Sequence, residues 1–216
     1  MTWVKSLGIV VAMLAAFTMG IWTAVLVPDG PWFFSDEPEA VVVSTPTPTP
    51  TPEPIPTSRP PYDGPALAYG DYVLVSVKKC LKKLDFAVDA KSERRISDAI
   101  ADLATMEDSI PGGVLVHIGA NGGASAAELE QLMEVLGPDR LVIVTTIQIP
   151  DDPERYTFEQ STNAAIVGLA ETHPNVRIFS WNSLSMTNPD WLNADGSMTK
   201  EGCKAFADFA ERIMRG

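Results

Sequence analysis

Residues Leu141–Ile147 read Leu-Val-Ile-Val-Thr-Thr-Ile, a continuous, β-branched run without charge. A strand of that composition must be covered on both faces, which is the habit of a parallel sheet between helices. Outward from it, Val114–Ile118 is a second buried strand, bounded by Pro111-Gly112-Gly113 and by Gly119. Ala66–Tyr69, Phe86–Asp89 and Val176–Ser180 are shorter strand candidates. Helical periods fall between and after them: Val73–Lys83, Arg94–Met106, Ser125–Leu136, Phe158–Thr172 and Lys200–Met214. In the second of these, Ile96, Ile100 and Leu103 share one face; in the third, Glu128 is placed for a capping box with Ser125. Five strands alternating with helices predict an α/β three-layer sandwich on a five-stranded parallel sheet. Right-handed crossovers make a flavodoxin-like order the natural one. A site then belongs outside the carboxyl ends of the strands. Those ends carry Gly70-Asp71-Tyr72, Asp89-Ala90-Lys91, Gly119-Ala120-Asn121 and the loop near Asp195.

Upstream of the domain, nine of the eighteen prolines fall between Pro46 and Pro65. Alternating proline holds the backbone in extended polyproline II and removes the donors a ladder needs. Thr45–Pro61 therefore reads as a semi-rigid stalk reaching roughly 50 Å. Thr-Pro repeats are also substrates for O-glycosylation. Before the stalk, Leu7–Val27 is an uncharged run of twenty-one residues, enough to cross a hydrocarbon core of roughly 30 Å as a helix. Lys5 precedes it and Asp29, Asp36, Glu37 and Glu39 follow it, which predicts a cytoplasmic N-terminus and an exported remainder. The rival is a cleaved signal peptide, whose apolar region usually spans only about 7–15 residues. The expected organisation is a single-pass membrane anchor (1–29), a Pro/Thr-rich extracytoplasmic stalk (30–65) and one globular domain (66–216).

A formal net charge of −12 argues against nucleic acid as a partner, because phosphate contacts need clustered Lys and Arg. It equally disfavours lying flat on an anionic lipid surface. Two cysteines, Cys80 and Cys203, are too few for a disulfide scaffold, and the only histidines are His117 and His173. No metal and no cofactor is expected. Lys78, Lys79, Lys82 and Lys83 form a basic patch on the first helix. It reads as a solvated face or as a surface for acidic wall polymers.

The loop motifs resemble the SGNH (GDSL) hydrolase superfamily, and in particular the extracytoplasmic domain of acyltransferase-3 proteins that O-acetylate cell-envelope glycans. The family's Gly-Asp-Ser block corresponds to Gly70-Asp71-Tyr72, and its Gly-x-Asn block to Gly119-Ala120-Asn121. Asp89-Ala90-Lys91, Asn163, the run His173-Pro174-Asn175-Val176-Arg177 and Trp181 are similar to that branch. The closing Asp-Gly-x-His-Leu-Thr block corresponds to Asp195-Gly196-Ser197-Met198-Thr199. The likeness runs from about Ala66 to Met214, nearly all of the globular part. It implies that the nucleophilic serine is replaced by Tyr72 and that the histidine position falls on Met198 or Ser197. It also implies that Ser92-Glu93 stands where a second-block glycine often supplies an oxyanion donor.

Acyl transfer in this family needs a hydroxyl, an imidazole to take its proton, a carboxylate to orient that ring, and an oxyanion hole. Asp195 would be a carboxylate with no ring to orient, and Asn121 a donor with no oxyanion to meet. His117, mid-strand, reads as a packed core histidine, and Asp71 as a helix cap. The expected site is thus a set of degenerate positions (Asp71, Tyr72, Asn121, Asp195, Met198) bordered by a possible ligand cleft of Gly70, Gly119, Trp181 and Ser197. The resemblance places the first and last helices side by side, which permits a Cys80–Cys203 disulfide; two buried free thiols are the alternative. Three functions remain open at this level: an inactive domain binding cell-wall glycan or docking a membrane acyltransferase, an active O-acyltransferase or esterase using an atypical nucleophile such as Tyr72, and a structural cap.

Overall fold

The computed structural model describes residues 60–150 and 157–216. Leu7–Val27, expected to cross the membrane, and the expected stalk up to residue 59 lie outside the described residues. Among the described residues no helix is long and apolar enough to cross a membrane.

Five strands, β1 (Ala66–Gly70), β2 (Phe86–Ala90), β3 (Gly113–His117), β4 (Leu141–Thr145) and β5 (Val176–Phe179), form one sheet in the order β2-β1-β3-β4-β5. All four pairings are parallel, with Ala66 opposite both Phe86 and Gly113, Gly113 opposite Leu141, and Val142 opposite Val176. The order reverses once at β1, so right-handed crossovers place α1 (Tyr72–Lys82) on the opposite face from α2 (Ile96–Thr105), α3 (Ala126–Leu136) and α4 (Glu159–Thr172). The packing agrees: α3 touches both α2 and α4, while α1 lies against the closing helix α6 (Lys200–Arg215).

β3 and β4 are buried at every position, which is why their sequences lack alternation. The helices read as expected because each carries a single apolar stripe: Val73, Leu74, Val77 and Leu81 on α1, and Leu129, Leu132, Met133 and Leu136 on α3. Ser125 caps α3 reciprocally with Glu128: the Glu128 carboxylate accepts the Ser125 N–H at 2.9 Å, and Ser125 Oγ accepts the Glu128 N–H at 3.3 Å. A cap of this kind contributes about 1 kcal/mol. The Ser125 hydroxyl and amide hold the Glu128 carboxyl below the ordinary range.

One α-helix was not expected. After β5 the chain enters a seven-residue helix, α5 (Trp181–Thr187), followed by a 3-10 turn at Pro189–Trp191. Two turns are too short for an apolar period to register. Trp181 drives the element inward: its ring is fully buried, stacks on Trp191 at 5.8 Å and meets Phe206 edge-on at 5.1 Å.

The chain enters at the amino ends of the strands. Tyr62 donates its backbone N–H to the Met214 carbonyl at 2.9 Å, and its ring lies against Gly112 and Gly113. Entry is therefore at the pole opposite the carboxyl ends of the sheet.

Candidate functional site

At the carboxyl end of β1 the chain turns sharply into α1. A Cβ built at Gly70 would come within 2.1 Å of the His117 carbonyl oxygen, so only glycine fits there. Asp71 follows as the N-cap of α1 and is fully buried. Its Oδ1 accepts the Val73 N–H at 3.1 Å and a bond from Nδ1 of His117 at 2.9 Å; its Oδ2 accepts the Ala120 N–H at 3.1 Å. One carboxylate thus joins the β1–α1 turn, β3 and the β3–α3 loop. His117 is a buried histidine, as its place in an apolar strand implied, but a hydrogen-bonded one. Its ring lies 6.4 Å from Phe206, and its Nε2 is buried without a hydrogen-bond partner among the described residues. Continuing the β3–β4 register by one step sets His117 beside Thr145, whose Oγ1 is likewise buried and unpartnered among those residues.

Above this pair lies an open cavity of ≈ 720 Å³ lined by Tyr72, Glu93, Arg95, Ala120, Asn121, Gly122, Phe158 and Asp195. A second groove of ≈ 590 Å³ shares Arg95, Asn121, Gly122 and Phe158 with it and runs on between the starts of α2, α3 and α4. Three of the expected positions, Tyr72, Asn121 and Asp195, do converge on one cleft. Neither histidine reaches it. His117 lies beneath the floor, and His173, at the end of α4, bonds through Nε2 to Glu130 at 2.7 Å.

The groups that do line the cleft are held by local bonds. Asn121 donates both N–H groups of its amide, to Ser92 O at 2.7 Å and Arg94 O at 3.1 Å. This clamps the β2–α2 loop and leaves no side-chain donor for a substrate oxygen. Asp195 accepts the Ser197 N–H at 2.9 Å and the Ser197 hydroxyl at 2.5 Å, and these bonds hold its carboxyl below the ordinary range. Gly196, at φ +78°, lies close under the tyrosine: a Cβ there would come within 2.9 Å of the Tyr72 hydroxyl. Met198 turns inward, buried, and donates its N–H to Ser76 Oγ at 3.2 Å. Ser76 itself donates to the Val73 carbonyl at 2.6 Å, so it ties α1 to the Asp195 loop. The structure also joins Cys80 to Cys203, cross-linking α1 and α6 just behind that loop.

Four residues expected along the ligand cleft do not line it. Trp181 is buried in the aromatic cluster below β5. Gly70 and Gly119 are buried backbone, packed against the His117 carbonyl and the Thr162 methyl group. The Ser197 hydroxyl is turned to Asp195, and it accepts from Asn193 Nδ2 at 3.0 Å. Glycine spacing and a nearby tryptophan mark the strand ends, but they do not reveal which surface packing leaves open.

Sequence reasoning missed Arg94. Its guanidinium is buried, donating to Gly70 O at 2.9 Å, Asp89 O at 2.9 Å and Asp89 Oδ1 at 2.8 Å, and it stacks 3.9 Å over the Tyr69 ring. Burial pushes the Tyr69 phenol well above its ordinary range. In the sequence, Glu93-Arg94-Arg95 looks like a solvated helix start, and no periodic signal separates the buried arginine from its exposed neighbour.

No protein-family model matches the chain. Among curated proteins it is 24% identical over 155 residues to the Bacillus subtilis protein described as "Putative peptidoglycan O-acetyltransferase YrhL". That match covers 69% of this chain and 23% of the relative, so the chain spans about a quarter of its length. Among solved structures it is similar to the C-terminal catalytic domain of Streptococcus pneumoniae peptidoglycan O-acetyltransferase A, which carries a methylsulfonyl adduct. There the TM-score is 0.59 at 17% identity, covering 67% of this chain and 89% of that one. The esterase EstA of Pseudoalteromonas, inhibited by monoethylphosphonate, gives a TM-score of 0.52 at 17% identity over 68% of this chain and 94% of its own. A G-D-S-L family lipolytic protein of Veillonella parvula gives 0.53 at 11% identity over 68% and 96%.

Proposed function

From a chain with the SGNH (GDSL) hydrolase fold that resembles O-acetyltransferase domains, we propose a catalytically inactive module that binds glycan, or docks an acyltransferase, at the cell envelope. One observation carries this reading: the cleft contains no imidazole. The sequence has two histidines, one buried under the floor against Asp71 and the other on α4 against Glu130. Without an imidazole to take its proton, a hydroxyl is a poor nucleophile at neutral pH. The amide of Asn121 is committed to the β2–α2 loop, which removes a second part of the machinery. In a serine protease, loss of a triad member leaves only about 10³–10⁴-fold catalysis over water.

What remains is an open, polar groove with two aromatic side chains, Tyr72 and Phe158, and charged groups at Glu93, Arg95 and Asp195. That mixture suits a sugar chain, where ring faces stack on aromatics and hydroxyls meet polar side chains. The placement at the envelope rests on the relatives and on the anchor and stalk read from the sequence.

Turnover of an activated acetyl ester by the full chain tests the proposal. Hydrolysis should not exceed background, and no covalent adduct should form with a sulfonyl fluoride. Turnover that Tyr72→Phe abolishes would instead establish an esterase or acyltransferase with a tyrosine nucleophile. Absence of binding both to isolated wall glycan and to a membrane acyltransferase would leave only a structural cap.

A further inference from the structure

We propose a second interaction surface, on the outer face of α1, that binds a linear polyphosphodiester chain. It is independent of the cleft. Four of the chain's eight lysines, Lys78, Lys79, Lys82 and Lys83, fall within six residues at the end of this helix. The apolar stripe of α1 turns inward, so Lys79, Lys82 and Lys83 are exposed and Lys78 is half-buried beside them.

Among the described residues none of the four makes an ion pair. Two of the three other described lysines are paired, Lys91 with Asp102 at 2.8 Å and Lys204 with Asp208 at 3.9 Å. At the lower border of the patch, Lys83 shares a shallow cavity with Asp63, Asp85, Glu211 and Arg215. Glu211 there is already paired with Arg215 at 3.7 Å.

The helix dipole favours cations in the last turn, and Lys79 and Lys82 occupy it. It does not account for the arrangement as a whole. Lys78 and Lys82, like Lys79 and Lys83, are stacked one helical turn apart, where like charges repel. A row of cations held together against their own repulsion, on a protein of net charge −12, is matched by an external anion.

The same net charge selects the kind of anion. Screening confines the field of exposed charges to about 8–10 Å. A thin chain lying along α1 therefore meets mainly the four ammonium groups, whereas a flat anionic bilayer would face the acidic remainder as well. The apolar contribution of the face to lipid is one exposed side chain, Val75. All four cations are lysines, which act as point charges toward phosphate; none is an arginine, whose planar fork suits bidentate pairing.

The test measures binding of the full chain, in a non-ionic detergent, to long-chain inorganic polyphosphate. Wild type should bind at low salt, with log affinity falling against log salt at a slope of about −3 for four contacts, or roughly 60-fold between 50 and 200 mM. The quadruple Lys→Gln variant should lose that binding while keeping its circular dichroism spectrum. Lys→Arg at the same positions, and Lys200→Gln with Lys204→Gln, should leave it within about threefold. Undiminished binding by the quadruple Lys→Gln variant, or no wild-type binding at low salt, would overturn the proposal. So would binding to anionic-lipid vesicles without binding to the polymer.

Discussion

Asp71 and His117 form a fully buried carboxylate–imidazole pair, 2.9 Å apart, directly below the turn that presents Tyr72 to the cleft. A catalytic dyad uses the same two groups, but here the ring is below the surface and the carboxylate also accepts two backbone N–H groups. The pair therefore fastens three segments to one another and has no route to a substrate.

Removing that carboxylate should be costly. In Asp71→Ala three buried donors, on Val73, Ala120 and His117, lose their acceptor. At about 1–3 kcal/mol per unsatisfied group, a destabilisation of at least about 3 kcal/mol is expected. Urea unfolding followed by circular dichroism measures it; a loss below about 1 kcal/mol would contradict the pinning role.

Restoring only a nucleophile should not restore catalysis. Tyr72→Ser places a hydroxyl in the cleft with no imidazole to take its proton, so turnover of an activated acetyl ester should remain at background. Adding Ser197→His supplies an imidazole next to Asp195, whose carboxylate already reaches residue 197. The double variant should then exceed the single one by at least about 10²-fold, the usual contribution of a general base. Equal rates would show that a base is not what the cleft lacks.

The cross-link between α1 and α6 closes a sequence separation of 123 residues. Loop-closure entropy for so long a span corresponds to nearly 5 kcal/mol, and measured values for native bridges typically reach about 2–4 kcal/mol. Cys80→Ser with Cys203→Ser should lower the unfolding free energy by that amount, as should reductant acting on the wild type. Free thiols in the native, untreated domain would show that the bridge does not form.

Acid sensitivity has a local source at Asp102. The hydrogen bond from Lys91 lowers this carboxyl below its ordinary value of 3.8, helped by Tyr69 and Arg94. A depressed folded value gives stability that is complete above pH 3.8 and lost as pH falls through the folded value. Because both partners are well exposed, the contribution is modest, about 0.5 kcal/mol. The stability gap between wild type and Asp102→Asn should be constant from pH 7 to about 5 and should close as pH falls below 3.8 and through the folded value. A gap that widens in acid would reverse the assignment.

The amino-acid sequence by itself determined the architecture. The unbroken β-branched run of β4, the apolar stripes of the helices and the Ser125–Glu128 cap each follow from short-range periodicity, and right-handed crossovers then make the observed strand order the natural one. It also determined that the cleft has no histidine to use, because the sequence holds only two and neither lies in a loop at the carboxyl edge of the sheet. Tertiary structure alone decided which residues are open to a ligand. Trp181 and the glycines disappear into packing; Arg94 is buried while Arg95 beside it is exposed; Asp71 closes on a histidine forty-six positions away. Burial at these positions is set by long-range contacts across the sheet and between α1 and α6, and no local pattern of hydrophobicity encodes where such contacts fall.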